Sequence, residues 1–218
     1  MSARKDPVEV VPSRGWGEAF QDFFDPRVRV RNYAVGGRSS RSYLTEGRWE
    51  KVQGELTAGD YVLIQFGHND RHERDPRRFT NPTTAYCQNL VRYVKETREK
   101  GATPILLTSI AVRNFNEYGV LIDTHGLYPL VVRQVAKELD VALIDHLAMS
   151  EAVVIGLGTE ESKRLFNWVL PGQYENYPEG LKDNTHLSLH GAQVFASLVA
   201  SELTQFDLSL NRFNLINH

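Results

Sequence analysis

Asp183 stands three residues before His186 in the stretch KDNTHLSLHG, residues 182–191. A carboxylate that close can orient an imidazole and stabilise its protonated form, which is what general-base chemistry asks of a histidine. The same pair also fits a plainer role, with Asp183 capping a turn and His186 on the surface. Two more polar segments invite the comparison: GGRSSRS, residues 36–42, and GHNDRHE, residues 67–73. Acyl transfer accounts for all three together, because it needs a nucleophile, a base held by a third group, and donors aimed at a developing oxyanion. In that scheme His186 is the base and Asp183 its orienter. The backbone N–H of Gly37 and the carboxamide of Asn69 are the donors.

Other chemistries compete for the same side chains. His68, Asp70 and His72, or Asp183, His186 and His190, contain residue types that bind zinc, but their spacing matches no strong metal signature. A non-catalytic protein could use such a polar rim to bind sugar, with Trp16, Trp49 and Trp168 as platforms, although Trp49 falls on the apolar stripe of a helical pattern. Gly36-Gly37 also reads as a tight turn, and Asn69-Asp70 as a capped turn or helix start. No G-x-G-x-x-G occurs, so a dinucleotide fingerprint is absent.

The elements that must position these residues alternate. Four apolar runs read as strands: VRVRNYAV (Val28 to Val35), YVLIQF (Tyr61 to Phe66), PILLTSI (Pro104 to Ile110) and VALID (Val141 to Asp145). Mostly continuous runs of this kind favour buried parallel strands. Between them lie helical patterns: RSYLTEGRWEKVQGEL, interrupted at Gly47 and Gly54, then the stripe Tyr86, Leu90, Tyr93, Val94 and Thr97 behind Asn81-Pro82, and then Tyr128 to Leu139. Ala148 to Val169 is expected to be partly helical with a break at Gly156 and Gly158, and Ala192 to Leu203 closes the series. Strands alternating with helices specify a three-layer α/β arrangement, whose ligands bind beyond the carboxyl ends of the strands, where the polar segments fall. A single domain over residues 1–218 is expected, with residues 204–218 as a C-terminal extension packing on its body.

Bulk properties narrow the partners. The chain has 218 residues, 41% hydrophobic and 24% charged, with a formal net charge of -2, so neither disorder nor a polyanion-binding surface is indicated and nucleic acid is not expected. No run of about 18 apolar residues and no signal-peptide pattern occurs, so no membrane partner is expected and a cytoplasmic location is the default. Cys87 is the only cysteine and lies in a helical pattern with nothing nearby to lower its pKa, so it reads as a packed thiol.

VGGRSSRSY, FGHND and DNTHLSLHGA together strongly resemble the SGNH, or GDSL, hydrolases, and within them the rhamnogalacturonan acetylesterase type. The likeness covers nearly the whole chain, from RGWGEAFQDFF onward. It implies a flavodoxin-like three-layer α/β/α fold, removal of acetyl groups from an oligosaccharide or another small ester, and neither metal nor organic cofactor. It gives Gly37 and Asn69 the oxyanion-hole roles, and His186 and Asp183 the catalytic ones.

The chain departs from the pattern at its start. Family members open with a hydrophobic strand running into Gly-Asp-Ser, whose serine is the nucleophile, and nothing like it precedes Arg14-Gly15-Trp16-Gly17. Ser2 lacks a strand to hold it, while Ser39, Ser40 and Ser188 read as turn or capping residues, so no nucleophile is assigned. The expectation is a chain lacking the first central strand and nearly inactive without the upstream serine. The alternative is a non-catalytic carbohydrate-binding or degenerate member. Val8 to Val11, VEVV, or a second copy of the chain is a candidate to fill the sheet, which leaves a homo-oligomer open.

Overall fold

The computed structural model describes residues 12–217, so Ser2 and the VEVV stretch lie outside the described residues. Along the chain the main elements are α1 (Trp16–Ala19), α2 (Ser40–Thr45), α3 (Arg48–Glu55), β1 (Tyr61–Gln65), α4 (Cys87–Glu99), β2 (Thr103–Leu107), α5 (Tyr128–Glu138), β3 (Ala142–Ile144), α6 (His146–Glu161), β4 (Phe166–Val169), β5 (Leu181–Leu187) and α7 (Leu189–Leu203). By their internal contacts the residues fall into two compact units, one of residues 37–109 and 125–147, the other of the remaining described residues.

The first unit is the α/β part. Its sheet has the order β1-β2-β3, parallel throughout, with Tyr61 opposite Thr103 and Ile105 opposite Ala142. Parallel neighbours need a crossover, and α4 and α5 provide the two. β2 is buried from Pro104 through Leu107, as its unbroken apolar run predicts. On α4 the stripe Leu90, Tyr93, Val94 and Thr97 is buried, and on α5 Val131, Val132, Val135 and Ala136 are. The expected helix over RSYLTEGRWEKVQGEL is two helices, because Gly47 turns the chain between them with φ 69°. This is the α/β fold class with a parallel sheet that the alternation predicts.

The second unit holds an antiparallel hairpin, β4 with β5, and the long helix α7. Phe195, Ala196, Val199, Ala200 and Leu203 on α7 are all buried. Gly191 lies so close to the Leu165 carbonyl that a Cβ there would overlap it. Ser188 caps the helix by accepting from the Gly191 N–H at 3.0 Å, while its own hydroxyl donates to the Arg164 carbonyl at 2.6 Å. In the C-terminal stretch Asn214 is fully buried and donates to the Ala200 carbonyl at 2.6 Å.

One expectation is corrected. Residues 28–35 form no strand among the described residues. The alternation of Val28 and Val30 is a side-chain pattern, and a strand also needs a backbone partner. Here the Gln21 carboxamide takes that place, donating to the Val28 carbonyl at 3.0 Å and accepting from the Val30 N–H at 2.9 Å. The segment 148–169 is helical in part and broken at Gly158, as the sequence predicts, and after a short 3-10 turn at Ser162–Leu165 its last residues, 166–169, form strand β4.

Candidate active site

Asp183 and His186 lie on an unusual part of the hairpin. Phe166 pairs with Leu187 and Trp168 with Lys182, so the single residue Asn167 faces the four residues 183–186. The surplus is a large bulge, a device that redirects side chains out of a ladder. Asp183 organises it. Its Oδ1 accepts from the N–H groups of Thr185 at 2.8 Å and His186 at 3.0 Å, and its Oδ2 meets His186 Nδ1 at 2.6 Å. One carboxylate thus folds the loop and fixes the ring that the loop carries. Burial alone would raise the Asp183 carboxyl, but the bonds from His186 and Thr185 outweigh it and hold its pKa below the ordinary carboxylate value.

With Asp183 ionised, Nδ1 carries the imidazole proton and Nε2 keeps a lone pair. No described side chain meets that nitrogen, and the His186 side chain is 58% exposed. The two readings of Asp183 in the sequence do not compete: one carboxylate closes the turn and meets the ring.

Asn184, between them, anchors the bulge. Its Oδ1 accepts from Arg113 Nη1 and from Trp168 Nε1, each at 2.9 Å, and its backbone carbonyl accepts from the Arg113 N–H at 2.9 Å. Neither Asn184 nor Arg113 is assigned from the sequence. Asn184 stands inside the quoted motif, and Arg113 follows the end of the β2 apolar run, which is where α/β sheets place functional residues.

The other unit carries Gly37 and Asn69, whose surroundings are fixed by Asp70. Fully buried, Asp70 accepts from Ser40 Oγ at 2.5 Å, from the Ser40 N–H at 3.0 Å, from Thr80 Oγ1 at 2.8 Å and from the Gly67 N–H at 3.1 Å. Burial raises its pKa despite these donors. Ser40 is held further by Asn89 Nδ2 at 3.0 Å and, through its carbonyl, by the Tyr93 hydroxyl at 2.8 Å. The Tyr128 hydroxyl, 3.0 Å from the Asp70 carbonyl and 2.6 Å from that of Thr80, closes the far side. The knot consumes the hydroxyl of Ser40, and Ser39 is occupied in capping α2. Asp70, weighed as a metal ligand, has its carboxylate filled by protein donors. Among the described residues no three His, Cys, Asp or Glu side chains gather as a metal site requires.

The two candidate donors sit beside the ends of this knot in sequence. Asn69 directly precedes Asp70, and its Oδ1 accepts from Arg78 Nη1 at 3.2 Å, while its amide N–H groups meet no acceptor among the described residues. Arg78 is in turn held at Nε by Asp75 at 2.8 Å. Gly37 adopts φ 79°, a left-handed conformation suited to glycine, with no atom close to where a Cβ would stand. Among the described residues nothing accepts from its N–H.

Of the weighed sugar platforms, Trp16 and Trp49 are buried at 1% and 3% exposure and present no face to a ligand, whereas Trp168 is half-buried. Burial pushes the Cys87 thiol up, away from nucleophilic use.

The family model for GDSL-like lipases and acylhydrolases matches residues 6–194 of the chain. Rhamnogalacturonan acetylesterase RhgT of Bacillus subtilis (strain 168) is 44% identical over 204 residues, covering 94% of this chain and 86% of that protein. Among solved structures, YxiM of Bacillus subtilis superposes with a TM-score of 0.80 at 23% identity, over 96% of this chain and 55% of that one, so the chain spans about half its length. Axe2, an acetylxylan esterase from Geobacillus stearothermophilus, gives a TM-score of 0.60 at 21% identity over 87% and 81% of the two chains. At such identities the two structures establish the fold alone.

Proposed function

Because the chain belongs to the GDSL-like lipase/acylhydrolase family, we propose that it serves the removal of O-acetyl groups from carbohydrate, a pectin-derived oligosaccharide of the rhamnogalacturonan kind being the first substrate to try. The relative RhgT, named for that activity, supports the choice of polymer. The observation that carries the reaction type is the 2.6 Å contact of His186 Nδ1 with Asp183 Oδ2, which leaves Nε2 open to take a proton.

On this reading a serine Oγ attacks the acetyl carbonyl carbon while its proton passes to His186 Nε2, and Asp183 stabilises the imidazolium. The carbonyl oxygen becomes an oxyanion that accepts from the Gly37 N–H and the Asn69 amide. As the ester C–O bond breaks, His186 returns the proton to the leaving sugar oxygen. Water, deprotonated in turn by His186, then attacks the acyl-serine and releases acetate.

No described residue fills the nucleophile's role, and we assign it to a serine outside residues 12–217. The test is hydrolysis of an aryl acetate and of acetylated rhamnogalacturonan oligosaccharide, by the 218-residue chain and by a version extended at its N-terminus with a strand ending in Gly-Asp-Ser-Thr. The expected result is a rate at least about a thousandfold higher in the extended version. Comparable high rates in both would reject the external serine, and absence of activity in both would favour a non-catalytic sugar-binding role.

A further inference from the structure

Arg113 is a cation kept at 7% exposure, and the one carboxylate acting on it among the described residues, that of Glu160, does so through charge alone, without a hydrogen bond. Its guanidinium is satisfied by neutral acceptors: Nε donates to Ser162 Oγ at 3.0 Å, Nη1 to Asn184 Oδ1 at 2.9 Å, and Nη2 to the Thr159 carbonyl. The Thr159 carbonyl is presented by the kink at Gly158. The faces of Trp168 and Phe115 lie 5.1 and 5.6 Å from Cζ and supply further attraction to the charge. Burying a charge in this way is costly, and hydrophobic side chains of similar volume would commonly hold the same segments together as well or better. A plain fastening role is therefore a poor account of an arginine here.

What a planar fork provides over an apolar plug is direction. Three of the contacts around the bulge converge on Asn184: the Arg113 N–H on its carbonyl, and Arg113 Nη1 and Trp168 Nε1 on its Oδ1. Asn184 is the residue directly after Asp183 and lies within the turn that the Asp183 carboxylate closes onto Thr185 and His186. Fixing the peptide and side chain of Asn184 fixes where Asp183 aims its second oxygen.

We propose that Arg113 is a positioning residue for the Asp183–His186 pair, acting through Asn184. The inference rests on the reading of His186 as the base, and its sign is the state of the imidazole itself. Held by Asp183, neutral His186 carries its proton on Nδ1, and loosening the bulge releases the ring toward the mixture of tautomers found in free imidazole.

Two-bond 15N–1H correlation spectra of the chain as it exists report which ring nitrogen is protonated, with His186→Gln identifying the signal among the seven histidines. The wild type is expected in the Nδ1–H form. Arg113→Met and Asn184→Ala are each expected to move it toward mixed tautomers, and the double variant to move it no further, since both act on one link. Arg113→Lys is expected to recover part of the effect. An unchanged Nδ1–H tautomer in folded Arg113→Met overturns the proposal, as do additive effects in the double variant. Should Arg113→Met fail to fold, an unchanged tautomer in Asn184→Ala overturns it equally. The spectra need no turnover, so failure of the esterase reading, which the acetate assays detect, stays distinguishable from failure of this one. In the serine-extended enzyme the expected companion effect is a roughly tenfold to hundredfold fall in kcat with KM nearly unchanged.

Discussion

Ser40 and Asp70 are joined through two groups of one residue: the Ser40 hydroxyl donates to Asp70 Oδ1 at 2.5 Å, and the Ser40 N–H lies 3.1 and 3.0 Å from the two carboxylate oxygens. The contact binds the start of α2 to the turn that follows β1. It thereby fixes the two short segments that carry Gly37 and Asn69, and it does so in the interior, with both residues fully buried.

Asp70→Ala strands the donors of Ser40, Thr80 and Gly67 in a buried place and is expected to cost about 2–4 kcal/mol in urea denaturation. Asp70→Asn gives the pH signature. Burial raises the native pKa of Asp70 above its ordinary 3.8, so its stabilising contribution is fully present below that value and declines as pH rises toward the native one. Wild type should therefore lose ground against Asp70→Asn as pH climbs above 3.8 in a series of melts. A difference independent of pH would argue against a burial-raised carboxyl.

Asp183 should show the opposite slope. Its native pKa is lowered, so the stability it lends is present above 3.8 and is lost as pH falls through the native value. The gap between wild type and Asp183→Asn is expected to be widest near neutrality and to narrow in acid, measured by the same melts; in a His186→Gln background, which removes the main bond holding the carboxyl down, this slope is expected to shrink.

Asn69 and Arg78 separate donor from orienter. In a form carrying the serine segment, Asn69→Ala is expected to lower kcat by about 10²–10³, the usual loss for one oxyanion donor. Arg78→Met keeps the donor but frees its Oδ1, and a smaller loss of roughly tenfold in kcat is expected. Steady-state kinetics on an aryl acetate decide the matter: equal losses in the two variants would mean that Arg78 does more than hold the amide.

Legibility from sequence followed the physics of each signal. The parallel strands and crossover helices were readable because burial on both faces leaves unbroken apolar runs such as PILL, and a helix face leaves the 3-4 stripe of Leu90, Tyr93, Val94 and Thr97. The segment 28–35 alternates yet is not a strand: alternation says nothing about whether a strand partner exists, and the Gln21 side chain takes that partner's place. Asp183 and His186 were legible as a pair because their contact is local. The roles of Arg113, Asn184 and Asp70 were not, since each depends on partners brought together from distant parts of the chain.

That difference in sequence distance has a kinetic meaning. The ring and carboxylate of the bulge are three residues apart, whereas Ser40 and Asp70 are thirty apart and Arg113 and Asn184 seventy-one. Loop closure makes the near contact entropically cheap and the far ones late. During refolding the imidazole and its acid can find each other as soon as the hairpin forms, while the donor segments and the guanidinium brace must wait for the chain to condense. Completion of the fold is then set by the slowest long-range closure, and a partly refolded molecule already carries the Asp183–His186 contact before the segments of Gly37 and Asn69 are fixed.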